Sequence, residues 1–403
     1  MATHEELSVL RDARLGHLNA QLDLGRRYLQ GSHGLPKNLE AALHWLNCAA
    51  QQNSLDACVL VGRHIPYDIA RLASNMPGAI RCYERAFEAG ETEAGVVFAK
   101  LVLQRVDSPL PSSLRENALA ALRSAAHSGS HEAQWMWAKY VGDNDGCREL
   151  SLIWTCRAAK GGVVAAQYVM AEHVWQSGDK AAFLEWSLPL ARDLQQFALR
   201  WQKQGDISPP MFSSEQLTLL QRCGQVLLEQ SDANAGDVQT FWEIAATGGA
   251  IDAQFSLGLL LAGMRADGEK DFIESRQIDY AKAIHWLTLA GDQGLKEAWF
   301  VLSRIHERRF FSGKDLGLAR HYRHRAAEMG HCQAQYECGV SAWDFRDVKS
   351  TNESRAIYWL ELAEAQGCIA AGEMLVCIRK ALVDEPGTAQ LAAGKGERIL
   401  FVA

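Results

Sequence analysis

His321 and His324 lie three residues apart on a predicted helix, with His331-Cys332 just past its end, and here the sequence comes nearest to a set of metal ligands. A metal site needs three or four ligands converging on one point. Nothing in the spacing draws the two pairs together, so no metal is expected. Gly394-Lys395 resembles the end of a phosphate-binding loop, but Ala389 stands where the upstream glycine belongs, and the strand-to-helix context is missing. The sequence has no Gly-x-Ser-x-Gly, no His-Glu-x-x-His and no dinucleotide fingerprint. Carboxylate pairs such as Glu5-Glu6 read as surface, and His44-Trp45 and His285-Trp286 fall at equivalent places of a repeat. These residues predict neither catalysis nor a cofactor. Two alternatives stay open: an enzyme on an α/α scaffold that assembles a site from distant residues in the irregular middle of the chain, and a self-assembling structural array that uses its ends or edges.

A cationic group of Arg304, Arg308, Arg309, Arg320, Arg323 and Arg325, with His306, His321 and His324 among them, reads either as a phosphate or acidic-partner site or as a solvated helix face. Overall, 41 Lys+Arg against 48 Asp+Glu leave a net charge of -7. Nucleic-acid binders carry the opposite balance, so that class is not expected. The ten cysteines are scattered singly with no Cys-x-x-Cys, and several fill apolar helix positions as small hydrophobes. A reducing, cytoplasmic setting is the simplest expectation. The first residues carry acid where a secretory leader carries base. No run approaches the roughly 18 apolar residues that cross a bilayer, so no membrane partner is expected.

The elements that must position these groups follow from an internal period. Equivalent alanines fall at Ala20, Ala57, Ala94, Ala133, Ala166, Ala253, Ala298, Ala334 and Ala371, spaced by 37, 37, 39, 33, 87, 45, 36 and 37 residues. The 87-residue gap has room for two degenerate units. Each alanine opens a first helix that carries Leu-Gly or a similar pair four and five places on, as in Leu24-Gly25, Val61-Gly62 and Leu257-Gly258. A second helix places a bulky residue twelve positions before the next alanine, followed by small residues, as in Trp45, Trp154, Phe241, Trp286, Tyr322 and Trp359. Asn53, Gly90, Gly129, Gly162, Gly249, Gly294, Gly330 and Gly367 close these second helices. Such residues adopt the left-handed C′ conformation at little cost. Helices of about 13 residues cannot bury an apolar face alone, so the pairs must stack on one another. The expected fold is all-α, a solenoid of stacked helical hairpins.

This motif, Ala-x-x-x-Leu-Gly…Gly-x-x-Gly…Trp…Ala-Ala…Gly-x-x-x-Ala, resembles the Sel-one-like repeat, a relative of the tetratricopeptide repeat. The resemblance covers residues 20 to about 165 and 240 to about 380. It implies a right-handed α/α superhelical solenoid of about nine to eleven helix-turn-helix repeats. It also implies a role as adaptor, scaffold or regulator, most familiar from bacterial signalling, secretion and virulence. The stretch between Ala166 and Ala253 departs from the pattern. Residues 180–203 read as one long helix, Pro209-Pro210 breaks it, and Gln216–Glu229 resumes helical periodicity. The expected organisation is a capping helix at 1–18, repeats at 19–179, eroded repeats or a hinge at 180–240, repeats at 241–385 and a tail at 386–403. Met264–Gln277 reads as an insertion between two helices of one repeat, a common place for a recognition loop.

The resemblance further implies that first helices line the concave wall. Positions two and six after each alanine are four apart and share a helix face. Position two reads Leu22, Val59, Val96, Trp135, Tyr168, Phe255, Phe300 and Tyr336, while position six reads Arg26, Arg63, Lys100, Lys139, Glu172, Leu259, Arg304 and Val340. One reading is a groove for a protein or peptide with an acidic segment, anchored by apolar side chains beside a cationic strip. The other is that position two packs the repeats together and the bases are a solvated face.

Overall fold

The computed structural model describes residues 4–32, 34–104, 111–203, 211–230, 235–265, 278–307, 314–344 and 351–384, and their regular elements are helices. The expected break at Pro209-Pro210, residues 266–277 of the expected insertion, Arg308, Arg309 and the tail lie outside the described residues. The chain divides into two compact units, Met1–Ser187 and Leu188–Ala403.

The first unit holds α1 (His4–Arg14), α2 (Leu18–Gln30), α3 (Leu39–Gln51), α4 (Leu55–His64), the single-turn α5 (Tyr67–Ala70), α6 (Met76–Glu88), α7 (Thr92–Leu103), α8 (Ser112–His127), α9 (His131–Tyr140), α10 (Arg148–Lys160), α11 (Val164–Ser177) and the start of α12 (Lys180–Lys203). The second continues α12 and adds α13 (Ser214–Glu229), α14 (Ala235–Thr247), α15 (Ile251–Ala262), α16 (Tyr280–Asp292), α17 (Lys296–Glu307), α18 (Leu316–Glu328), α19 (Cys332–Asp344), α20 (Thr351–Ala365) and α21 (Ile369–Asp384). Within each unit the helices pair as antiparallel neighbours: α2 with α3, α4 with α6, α7 with α8, α9 with α10, then α13 with α14, α15 with α16, α17 with α18 and α19 with α20. Each pair packs on the next, as a solenoid requires.

The repeat signature has a direct packing cause. The alanines from Ala57 to Ala371 are fully buried, and Ala20 is half-buried at the end of the array. The glycine five places on is where a hairpin closes. A Cβ built on Gly25 would meet Leu46 Cδ2 at 2.6 Å, and one on Gly258 would meet Leu287 Cγ at 2.6 Å. No real Cβ tolerates that distance, so only glycine lets these helices approach so closely. At the far end of each hairpin, Asn53 and the seven glycines expected to close second helices all have positive φ, from 64° at Asn53 to 104° at Gly294. The backbone then turns directly into the next first helix.

The irregular middle contains a repeat hidden from the alanine alignment. Along α13, Leu219, Leu220, Cys223 and Gly224 are buried as Ala57, Cys58, Val61 and Gly62 are along α4. A Cβ on Gly224 would meet the Trp242 ring at 2.3 Å, and the Trp242 Nε1–H donates to the Gln221 carbonyl at 3.0 Å. Leu219 therefore stands at the alanine position, 34 residues before Ala253. Before it comes the 24-residue α12, whose early residues Phe183 and Trp186 pack on Trp175 and on the cluster around Ala158 and Ala166.

Candidate partner-binding face

Positions two and six do share a face within a repeat. The Lys139 ammonium lies over the Trp135 ring at 5.8 Å, and the Arg304 guanidinium lies over the Phe300 ring at 4.9 Å. Both contacts are cation–π pairs four residues apart on a first helix.

Position two is also the seam between repeats. Val96 and Phe300 are only 1% exposed, so neither side chain is open to a partner. Leu22, Val59, Trp135, Tyr168, Phe255 and Tyr336 are half-buried. Trp135 packs on a cluster of Ala158 and Ala159 from its own hairpin with Ala166 and Met170 of the following repeat, and Tyr336 packs on a cluster that includes Leu360, Ala363 and Leu375. Phe300 stacks on His331 at 4.3 Å between ring centres, with the planes 19° apart. Trp135 and Tyr336 thus stay partly exposed beside these contacts, while Phe300 does not.

The bases of position six are mostly neutralised by carboxylates from the next repeat. Arg63 pairs with Glu91, Lys100 with Glu132, and Arg304 with Glu337. Arg63 holds the Glu91 carboxyl below its ordinary range, by hydrogen bond and by charge. Arg304 also reaches Glu307 at 3.1 Å, and Arg323 joins Glu337 through Nε at 3.2 Å, closing a four-membered network with Glu307. Within the second cationic group, Arg304 and Arg323 are therefore balanced by these two carboxylates, while Arg320 is exposed and makes no ion pair among the described residues. Arg325 meets Asp292 at 3.2 Å while it caps the Trp299 ring at 3.8 Å. His324 reaches Glu328 at 3.0 Å, and His306 is buried beside Tyr322. No group of three or more His, Cys, Asp or Glu among the described residues could hold a metal ion. Two bases of the first unit differ from the rest. Arg26 is exposed and makes no ion pair among the described residues, and Lys139 is exposed with only the Trp135 ring beneath it.

One recurrent device escaped the sequence reading. The residue after the repeat alanine, where it is glutamine, donates its side-chain amide to a carbonyl eight residues earlier in the preceding helix. Gln21 bonds Ala13 at 3.1 Å, Gln134 bonds Ala126 at 3.2 Å, Gln167 bonds Ala159 at 3.2 Å, Gln254 bonds Ala246 at 3.2 Å and Gln335 bonds Ala327 at 3.1 Å. Trp299 does the same with its indole N–H to Gly291 at 3.1 Å. A second glutamine then donates to the first across the repeat: Gln52 to Gln21 at 2.9 Å, Gln293 to Gln254 at 2.8 Å and Gln366 to Gln335 at 2.7 Å. The available signal was the identity of that one position, Gln21, Gln134, Gln167, Gln254 and Gln335, in five repeats.

A family model described as the Sel1 repeat matches residues 18–54, 251–295, 300–331 and 333–368. These four segments are Sel1 repeats. The matched segments coincide with hairpins whose alanines, glycines and second-helix aromatics follow the motif. The chain is also similar to a crystal structure of c5321, a protective antigen present in uropathogenic Escherichia coli strains displaying an SLR fold. Identity there is 20%, coverage is 90% of this chain and 72% of that chain, and the TM-score is 0.51. A Sel1 repeat protein from Oxalobacter formigenes is 17% identical over 92% of this chain and 90% of that chain, with a TM-score of 0.31. No curated protein matches the chain. The c5321 likeness is one of fold, an α/α array.

Proposed function

We propose that the chain is an adaptor or scaffold that binds a protein partner along the first-helix face of its first unit. Sel1 repeats commonly serve as protein–protein interaction scaffolds, which supports the general role. The observation that carries the specific reading is the row Arg26, Arg63, Lys100 and Lys139, one base on each of four successive first helices. The two ends of that row, Arg26 and Lys139, remain exposed without a carboxylate partner among the described residues. An acidic segment would meet these two open cations first. Its own carboxylates could then exchange with Glu91 and Glu132 at the exposed pair Arg63–Glu91 and the half-buried Lys100. The half-buried Leu22, Val59, Trp135 and Tyr168 supply apolar contact beside the charges. A cytoplasmic, bacterial regulator belongs to the same proposal. No described helix is long and apolar enough to cross a membrane.

The test is a pull-down on the immobilised full chain from lysate of its own host, followed by affinity measurement with the recovered partner. Arg26→Glu/Lys139→Glu is expected to weaken binding about tenfold or more, chiefly through slower association that depends on salt. Arg63→Ala should change it far less, because that charge is already compensated. Equal losses for the two variants, or a stoichiometric partner indifferent to both, would remove this face from the reading.

A further inference from the structure

Two pairs of cysteines share a packing cluster, Cys58 with Cys82 and Cys332 with Cys368, and they differ in what surrounds them. Cys58 and Cys82 lie in one core cluster inside the first unit, each 1% exposed, and the Cys82 thiol donates to Asn47 Oδ1 at 3.1 Å. That pair is sealed from solvent. Cys332 and Cys368 belong to the second unit and are both half-buried. Cys332 is the first residue of α19, and Cys368 immediately precedes α21, so the two sit on successive turns from a second helix into the next first helix.

Three contacts bring them together. The Cys332 thiol donates to the Ala363 carbonyl at 3.7 Å, and the Cys368 backbone N–H donates to that same carbonyl at 3.1 Å. The two side chains pack on one cluster, around Leu360, Ala363 and Ala371. Finally, burial first and the neighbouring Cys368 thiol second push the Cys332 thiol above its ordinary value. Opposing that rise is Lys296, whose ammonium donates to the Gly330 carbonyl at 3.1 Å, two residues before Cys332. A nearby cation favours thiolate, the form that attacks disulfides.

We propose that Cys332 and Cys368 form a thiol-modification site, a dithiol that a low-molecular-weight disulfide such as glutathione disulfide oxidises to a cystine joining two successive repeats. The Cys332 thiolate attacks one sulfur of glutathione disulfide, forming a mixed disulfide and expelling one glutathione thiolate. The Cys368 thiolate then attacks the Cys332 sulfur, closes the intramolecular bond and expels the glutathionyl group as a second thiolate. The dithiol loses two electrons and two protons, and one glutathione disulfide becomes two glutathione thiols. The new bond ties the turn before α19 to the turn before α21, so the last two repeats can no longer part. Because the Cys332 thiol is raised, the first step quickens as pH rises into the alkaline range.

The experiment incubates the native full chain in glutathione buffers of graded redox ratio. Free thiols are then trapped with an alkylating reagent, and tryptic peptides are analysed by fragmentation mass spectrometry. Fragmentation is required because the peptide after Arg325 carries Cys338 as well as Cys332, and that after Arg355 carries Cys377 as well as Cys368. The expected result is a Cys332–Cys368 cross-link that dominates the oxidised species, reverses with dithiothreitol and raises the thermal midpoint. Cys58 and Cys82 should stay reduced until the protein unfolds. Cys332→Ser should leave Cys368 carrying only a glutathione mixed disulfide, and Cys368→Ser should do the converse. The proposal fails if the wild type accumulates two separate mixed disulfides under conditions that oxidise exposed Cys377, or if the cross-link joins Cys338 or Cys377 instead. Should a serine variant not fold, the wild-type cross-link map decides alone.

Discussion

Replacing Gln254 with methionine keeps the side-chain length and removes both polar functions of a residue that is 3% exposed. The wild-type amide donates to the Ala246 carbonyl at 3.2 Å and accepts from Gln293 Nε2 at 2.8 Å. Each intramolecular hydrogen bond is worth about 1 kcal/mol net. The penalty for orphaned groups is small here, because the Ala246 carbonyl still accepts from the Gly249 N–H at 3.0 Å and Gln293 is exposed and can turn to water. Gln254→Met should therefore cost about 1–2 kcal/mol rather than the larger sum that full desolvation would give. Gln254→Glu is the sharper perturbation, since a carboxylate would point an acceptor at a carbonyl in a buried site. Burial raises the folded-state pKa of that carboxyl above its unfolded value. The loss is then full at neutral pH and shrinks as pH falls through the folded pKa, where the protonated acid regains a donor. Urea unfolding followed by tryptophan fluorescence at pH 7 and at acid pH measures both effects. A methionine variant within a few tenths of wild type, or a glutamate variant no worse than methionine at pH 7, would refute the account of this position as a repeat-to-repeat staple.

Gly258→Ala places a methyl group 2.6 Å from Leu287 Cγ, where overpacking costs about 1–3 kcal/mol against a helix-propensity gain of roughly 1 kcal/mol. In a Leu287→Ala background that contact disappears, so the same substitution should turn stabilising, and a double-mutant cycle in urea that shows simple additivity would contradict the packing. His331 gives a pH signature. Burial holds its imidazole below the ordinary value, with Glu297 and Glu337 opposing and Lys296 and Arg304 assisting, while Nδ1 accepts from the Ala334 N–H at 3.2 Å. Its folded pKa lies below its unfolded one, so its contribution is complete above about pH 6.5 and declines as pH falls from there toward the folded pKa. His331→Gln should flatten that part of the stability profile; an unchanged slope between pH 7 and 5 would count against it.

The hairpins were legible because their requirements are local. An alanine that must pass close to a neighbour, a glycine under Leu46 or Leu287, and a left-handed residue after each second helix recur in register and name themselves. The α13–α14 hairpin was not legible by that route, since Leu219 fills the place of the alanine and only the burial pattern around Gly224 restores the alignment.

The candidate face divides the same way. Sequence periodicity fixes which side of its helix a residue occupies, and so it alone placed Trp135 with Lys139 and Phe300 with Arg304. How far the following hairpin covers that side depends on packing between elements one repeat apart, which no local pattern encodes. Only the tertiary structure therefore decided that Val96 and Phe300 are sealed in the seam while Trp135 stays half-buried. It alone decided, too, that Arg63, Lys100 and Arg304 meet carboxylates 28, 32 and 33 residues away, which leaves Arg26 and Lys139 as the open ends of the first unit's row.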